Sequence, residues 1–416
     1  MAQTSTNALW SGQAHMPSVS GSQVTIVSGK GAWLTTDDGR TLLDGAGVLW
    51  HANVGHGREE IAKAAYDQMC ELETHHVFGR FLNRPAVALA NRLAALAPMG
   101  DPRVILTSGG SDSVDVALKL ARRHWQLAGR TSKTVVLSRD HGYHGLHAFG
   151  TSVGGLAFNR EGYGTPSLIP ETARVSHDRI DDVSHRIAEI GPENIAAIIA
   201  EPVMGTGGVY PPPLGYFEGL QDLCRRHEIL LVLDEVITGF GRVGAMFAAQ
   251  RYGFEPDMVV FAKGVTSGYA PLGGVLVSPR VWQPFFDGDD APVFRHGLTY
   301  SGHATGCAVA MKNLDILESE RLPERVLDLE NVLSAELEAL RGCPGVTDVR
   351  YAGLMGGVEL APEVDGDKVV RYAEEHGVII RNLPRNVIMM SPPLVVTDDE
   401  LASIPRVVGA ALRALA

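Results

Sequence analysis

The residues able to do chemistry in this chain lie just past short apolar runs. After Val104-Ile105-Leu106 comes Thr107-Ser108-Gly109-Gly110-Ser111, and then a helical pattern begins. Glycines and a serine at a helix start offer free backbone N–H groups and a positive dipole end, which suits a phosphate. An ordinary helix cap, with glycines for the tight turn, is the plainer reading. After the run 229–233 comes Asp234, a carboxylate that is costly to bury unless it meets a cation, a metal or a hydrogen-bond donor. After the run 258–261 comes Lys263. A lysine emerging from an apolar strand can have a lowered pKa and form a Schiff base, although taken alone it reads as a surface lysine. Tyr143, in Gly142-Tyr143-His144-Gly145, follows another such run at 135–137 and can stack on a ring or simply pack.

These residues need elements to position them. From about residue 58 the pattern alternates between helix and strand, with helical periodicity over 58–73, 86–96 and 112–127. Buried-looking strands are predicted at 104–106, 135–137, 196–200, 230–233, 258–261 and 274–277. Such runs, lacking polar alternation and separated by helices, predict a parallel sheet covered on both faces, where ligands gather at the carboxyl ends of strands. Before it, 24–27, 32–35 and 41–43 read as a short β-meander, with a turn at Asp37-Asp38-Gly39-Arg40. The last hundred residues have an α+β pattern: helices at 324–340 and 367–376, strands at 346–351, 356–360 and 387–390, and a closing helix. That predicts a second, smaller domain. The division expected is 1–50 as an N-terminal segment contributing to the small domain, 51–314 as the large domain and 315–416 as the small one.

Composition narrows the class of function. The 416 residues carry a net charge of −12, which argues against nucleic acid as the main partner because phosphate backbones need a basic face. Hydrophobic residues at 45% and charged residues at 20% suit a soluble globular chain. The longest apolar runs, such as 195–200, are far too short for a bilayer, and the polar start shows no secretory leader. Cys70, Cys224, Cys307 and Cys343 form no CxxC pair, so they read as reduced thiols of a cytoplasmic protein, with neither a disulfide framework nor a metal site. The glycine loop matches neither G-x-G-x-x-G nor G-x-x-x-x-G-K-[ST], so a plain nucleotide-binding module is set aside. A phosphate cradle, an acid and a lysine at strand ends of one sheet match the needs of pyridoxal phosphate. Its phosphate takes N–H donors, its ring nitrogen a carboxylate and its aldehyde an amine.

Over essentially its whole length the chain resembles the class III (ω-) aminotransferases, a branch of the fold type I pyridoxal-phosphate enzymes. The motifs LVLDEVITGFGRVG (231–244) and PDMVVFAKGVTSGYAPLGG (256–274) look like that family's signature. TSGGSDSVDVALKLAR, GYHG, AEPVMGTGG and LTYSGHATGCA resemble its phosphate, stacking, glutamate and partner-phosphate segments, in the family's order. LLDGAGVLWHANVGHG (42–57) looks most like the ω-amino acid:pyruvate and amine:pyruvate group.

The resemblance implies an α/β large domain whose mainly parallel sheet is covered by helices, beside a smaller α+β domain. It implies that Lys263 holds the cofactor and shuttles a proton, while Asp234 keeps the ring nitrogen protonated. Tyr143 and Val236 would flank the ring, and Gly110 and Ser111 would hold the phosphate. Thr299 would reach the phosphate of the other subunit's site, which implies a homodimer. Glu201 matches the glutamate near cofactor and substrate, and Arg381 an arginine that pairs with a keto acid's carboxylate. Trp50 matches a pocket-wall tryptophan, with Phe78 and Phe81 beside the same cavity or in packing.

Some positions depart from the family's usual residues: Gly109 for Ser, Asp112-Ser113 for Glu-Ala, Ala304 for Pro and His51 for Cys. The function so implied is transfer of an amino group from a primary amine or ω-amino acid such as β-alanine to pyruvate, by a ping-pong cycle. The alternatives are an aminomutase of the same fold and a catalytically silent cofactor-binding protein.

Overall fold

The computed structural model describes residues 8–163 and 168–416; the first seven residues, part of the N-terminal segment and of the polar start read above, lie outside the described residues. An antiparallel meander opens the fold, with β1 (Ile26–Lys30), β2 (Trp33–Thr36) and β3 (Thr41–Asp44). The first two strands start later than the sequence pattern placed them. The turn between them is made at Gly31 (φ +59), and pairing runs from there through a bulge between Ile26 and Ser28.

A seven-stranded sheet follows: β4 (Arg103–Thr107), β5 (Val135–Arg139), β6 (Thr172–Val175), β7 (Ile195–Ala200), β8 (Leu230–Asp234), β9 (Met258–Phe261) and β10 (Gly273–Val277). Their spatial order is β4-β10-β9-β8-β7-β5-β6. Successive residues of its strands go to opposite cores. Leu231, Leu233, Val259 and Phe261 join one, while Leu230, Val232, Met258 and Val260 join the other. Both faces are therefore covered, and β7, β8 and β9 are buried along their whole length.

The sheet is not wholly parallel as the apolar runs suggested, because β10 lies antiparallel between β4 and β9. Only residues 262–272, with a single 3₁₀ turn, join β9 to β10, too little chain for a crossover helix. Pattern reading also passed over β6 and the helices Ile180–Ile190, Tyr216–Arg226 and Ala304–Ser319.

A second sheet, order β11-β12-β15-β14, is built from β11 (Val346–Tyr351), β12 (Gly356–Leu360), β14 (Arg381–Leu383) and β15 (Val387–Met390). It is accompanied by the helices Leu322–Glu338, Gly366–Glu375 and Asp398–Leu415. The two-residue strand β13 (Val378–Ile379) leaves that sheet and pairs in parallel with β3, tying the amino-terminal meander to the carboxyl-terminal elements. A buried guanidinium completes the tie: Arg242 donates to the carbonyls of Pro392 (2.6 Å) and Leu354 (3.3 Å) and to Asn53 Oδ1 (2.9 Å). Among the described residues no helix is long and apolar enough to cross a membrane, no group of side chains is arranged to hold a metal, and all four cysteines are free.

Candidate active site

The strands β4, β5, β7, β8 and β9 run the same way, so their carboxyl ends share one edge of the sheet. A cavity of ≈ 400 Å³ lies there, with Ser111, Tyr143, Glu201, Asp234, Val236 and Lys263 in its wall. They come from the ends of five strands, with Asp234 and Val236 both at the end of β8. The residues directly after β4, β5, β7 and β8 are Ser108, Asp140, Glu201 and Glu235, polar or charged groups that end an apolar run, and Lys263 follows β9 after Ala262.

One end of the cavity is a helix start. Gly110–Leu127 begins three residues after β4, and the N–H groups of Gly110, Ser111 and Asp112 have no acceptor among the described residues. Two hydroxyls pin the loop before it. Thr107 Oγ1 and Ser113 Oγ both donate to the Gly109 carbonyl, at 3.1 and 2.8 Å, and lie 2.7 Å from each other. Gly273 lets β10 pass close, since a Cβ there would sit 2.8 Å from the Gly109 backbone. The departure from the family at Ser113 thus has a local use: its hydroxyl braces the loop.

Asp234 ends β8 with a carboxylate held from two sides. Its Oδ2 lies 2.8 Å from Nδ1 of the buried His144, and its Oδ1 accepts from Val236 N at 3.1 Å. The other ring nitrogen of His144, Nε2, is buried without a partner. In the sequence His144 stands within GYHG, and its position there assigns it no task. Its signal was there as a second ring beside Tyr143, but the partner is 90 positions away.

Glu201 follows β7 and is spent on backbone: Oε1 accepts from Tyr143 N and Oε2 from Gly205 N, both at 2.9 Å. Burial pushes its pKa up. The fully buried Arg139 donates to the Glu201 carbonyl. This glutamate therefore fixes the loop that carries Tyr143. Tyr143 itself is half-buried, and burial, with Asp234 and Glu201 nearby, raises its phenol pKa.

Lys263 opens the 3₁₀ turn Lys263–Val265 with φ +44, a left-handed backbone in a non-glycine residue. It is half-buried, and among the described residues its amine has neither a hydrogen-bond nor an ion-pair partner. Burial lowers its pKa to about 8, against the opposing pull of Asp234 and Glu201 and with the help of the Arg381 charge. Arg381, at the start of β14, is likewise half-buried with an unpaired guanidinium, close enough to be felt electrostatically by both Lys263 and Tyr143. The carboxyl-terminal sheet thus delivers a free cation to the rim of the large one.

These groups fit pyridoxal phosphate: open N–H donors at a helix start, a braced carboxylate, and an unpaired amine of lowered basicity in one cavity. The floor between them is narrow, for a Cβ at Gly110 would lie 3.1 Å from both Val236 methyls.

Four expected residues stand elsewhere. Trp50 is buried in a satellite cluster with Val203, Val209 and Ile237 and is not in the cavity wall. Phe78 and Phe81 are 45% and 51% exposed, outside the cavity. Thr299 lies exposed in the turn that precedes the helix Ala304–Ser319. His51, noted in the sequence only as a departure, does line the cavity.

A family model described as aminotransferase class-III matches residues 16–412. An omega-aminotransferase of Caulobacter vibrioides is 37% identical, the match covering 92% of this chain and 93% of that protein. A beta-alanine–pyruvate aminotransferase of Pseudomonas aeruginosa is 34% identical over 94% of this chain and 92% of its own. Among solved structures, an amine transaminase from an uncultivated Pseudomonas species, in its PLP-bound form, superposes with a TM-score of 0.93 at 34% identity, covering 99% of both chains.

Proposed function

The chain belongs to the class III aminotransferases, pyridoxal-phosphate enzymes of fold type I, and from that premise we propose that it moves an amino group from a primary amine or an ω-amino acid such as β-alanine to pyruvate, in a ping-pong cycle. The observation that carries the reading is the unpaired Lys263 amine in one cavity with the braced carboxylate of Asp234, beside the unpaired guanidinium of Arg381.

When bound, the cofactor supplies an electron sink for the carbon that bears the amino group. The open N–H groups of Gly110, Ser111 and Asp112, with the Ser111 hydroxyl, take its phosphate. Asp234 holds a proton on the ring nitrogen, and His144 keeps that carboxylate aimed. Tyr143 and Val236 would flank the ring, and Glu201 fixes the backbone N–H of Tyr143. Lys263 Nζ holds the cofactor at rest. Its free amine would serve as the base for the proton on the amino-bearing carbon, a role that needs a neutral amine and is helped by a pKa near 8. Arg381 pairs with the planar carboxylate of pyruvate through two parallel N–H donors.

We assign residues 51–314 to a large domain and 315–416 to a small one that 1–50 joins, a division supported by the separate sheets and the β3–β13 pairing. We further propose a homodimer in which Thr299 reaches the neighbouring site. Support comes from the exposed Phe78, Phe81, Leu82 and Tyr300 near that turn, a grouping of apolar surface that a partner would cover. Free cysteines suit a cytoplasmic setting.

The test is the absorbance of the pyridoxal-phosphate-loaded protein on adding β-alanine, and separately a carboxylate-free amine, without acceptor. Conversion to the spectrum of the aminated cofactor, reversed by pyruvate, is expected. A spectrum unmoved by both donors would overturn the reading.

A further inference from the structure

Two arginines of the carboxyl-terminal sheet and two histidines from loops of the large sheet surround one tyrosine ring. Tyr210 closes the loop that follows Glu201, its N–H and carbonyl both paired with Met204 at 3.0 Å. Its hydroxyl is buried without a partner among the described residues, so the ring serves through its faces and edges. Arg350 of β11 brings its Cζ to 4.3 Å from the ring centre, and Arg385, in the turn between β14 and β15, to 5.8 Å. His141 follows β5 and His177 follows β6; their ring centres lie 6.3 and 5.1 Å from that of Tyr210.

Within this cluster one hydrogen bond joins the two sheets side chain to side chain. Arg385 Nη1 lies 3.0 Å from His141 Nε2. A guanidinium has no lone pair to offer, so Arg385 donates, and His141 must be neutral with Nε2 as the acceptor. A proton on His141 would set donor against donor and like charge against like, and the contact would open.

Each partner is a chain neighbour of an active-site group. His141 stands two residues before Tyr143 and takes φ +68, a left-handed backbone in a non-glycine residue. Its main chain is wedged in place: a Cβ on Gly155 would lie 2.3 Å from its N, and one on Gly207 2.3 Å from its carbonyl oxygen. Arg385 sits at the tip of the hairpin whose first strand, β14, opens with Arg381. That strand is the edge of its sheet, and the Arg381 guanidinium is unpaired, so the hairpin alone places it. Asn386 fastens the tip to its own side of the molecule, donating to the carbonyls of Ala361 (3.1 Å) and Val364 (2.7 Å). Arg385 fastens the same tip to the loop that carries Tyr143. The pair thus registers Arg381 against the cavity.

The charges that face His141 come from both sides. Burial and then Arg385 lower its proton affinity, while Asp140, Asp178 and Glu359 act the other way, and the His177 ring stands 5.1 Å off, edge to face. Arg350 is already committed, at 2.7 Å to Asp348 and to Glu359 and at 2.9 Å to the Gly208 carbonyl. We propose that His141 is a positioning residue: by accepting a hydrogen bond from Arg385 it holds the carboxyl-terminal sheet so that Arg381 meets the carboxylate of a keto-acid acceptor, and on taking up a proton it releases that hold. The proposal rests on the aminotransferase reading of the active site and on the role which that reading gives Arg381.

The experiment compares two acceptors on the cofactor-loaded enzyme: pyruvate, and butanal, which has a carbonyl and no carboxylate. The ratio of their kcat/KM values cancels differences in folding and in cofactor occupancy between variants. His141→Phe keeps a ring and loses the acceptor nitrogen; it should lower the pyruvate-to-butanal ratio by about three- to tenfold, through the KM of pyruvate. His141→Gln, whose amide oxygen still accepts, should retain most of it. In wild type the ratio should fall between about pH 8 and about pH 5, as His141 takes up its proton. In His141→Gln, which has nothing to protonate there, it should stay level. A residue that only supports the fold would change both acceptors alike. A ratio within about twofold of wild type in His141→Phe, or the same pH dependence in wild type and His141→Gln, would overturn the proposal. Arg381→Ala separates this from the reading beneath it. If that variant keeps the wild-type ratio, or if neither acceptor turns over in wild type, the parent reading fails and the proposal with it. If Arg381→Ala loses the ratio while His141→Phe keeps it, the proposal alone fails.

Discussion

Lys263 shows how much one residue's chemistry depends on where its backbone is placed. Its type and its position after an apolar run were readable, and a lowered pKa was a fair inference from a strand end. Its freedom from any partner, and the sense in which Asp234, Glu201 and Arg381 act on it, were not. With a pKa near 8, the amine is half neutral about two and a half units below the ordinary lysine value of 10.5. The rate at which the apoprotein condenses with an aldehyde should therefore rise with pH about a midpoint near 8, measured by stopped-flow absorbance; a midpoint near 10 would mean that the amine is solvated. Asp234 invites a second test. Asp234→Asn removes the negative charge that, in the proposed role, keeps the ring nitrogen protonated, and it faces His144 with an amide. Turnover should fall by roughly 10²–10³, the size of losing one preorganised electrostatic partner, while thermal stability stays close to wild type. A loss of less than tenfold in single-turnover rate would remove Asp234 from that role.

At the scale of elements, the sequence ranges 346–351, 356–360 and 387–390 coincide with β11, β12 and β15, and the doubly buried strands of the large sheet were read almost as closely. The range 258–261 matches β9, and 230–233 falls one residue short of β8. Direction was not legible, because an apolar run looks the same whichever way it points; the short 262–272 connection decided that β10 runs against its neighbours. The helix Ala304–Ser319 carries a testable departure from the family at its first residue. Ala304 occupies the first helical position, its N–H makes no hydrogen bond among the described residues, and His303 before it has the extended ψ of 120 that a following proline demands. Ala304→Pro should then stabilise the fold by about 0.4–1 kcal/mol, chiefly by restricting the unfolded chain. Thermal unfolding decides it, and a lower Tm would show that this fully buried position has no room for the ring.

For the whole molecule, the question is whether one chain makes a complete site. Thr299 is exposed at some remove from its own cavity, so its expected contact with a phosphate requires a second copy. That arrangement predicts complementation. Lys263→Ala should be inactive alone, and Thr299→Ala should hold its cofactor weakly. A heterodimer of the two contains one site with both residues intact. Mixing and re-assembling the variants should restore up to about half of one wild-type dimer's sites per heterodimer. Activity that never exceeds that of Thr299→Ala alone would place Thr299 on its own subunit's site or on none. Fold-level cohesion also exceeded what sequence could tell. Arg242 joins Asn53, Leu354 and Pro392, positions up to 189 residues away, through contacts that leave no periodic trace.

The sequence by itself determined the chemical inventory and the family, because a glycine-rich helix start, an acid and a lysine leave their types and order in the chain. It also determined most elements, because burial on one or two faces imprints a period on residue choice. Only the tertiary structure decided which groups meet. His144 supports Asp234, Glu201 is spent on the Tyr143 loop, Arg381 arrives unpaired from another sheet, and Arg385 of the same hairpin reaches His141. Those outcomes depend on the crossing of segments far apart in the chain, where distance and direction in space carry the electrostatics and no local pattern records them.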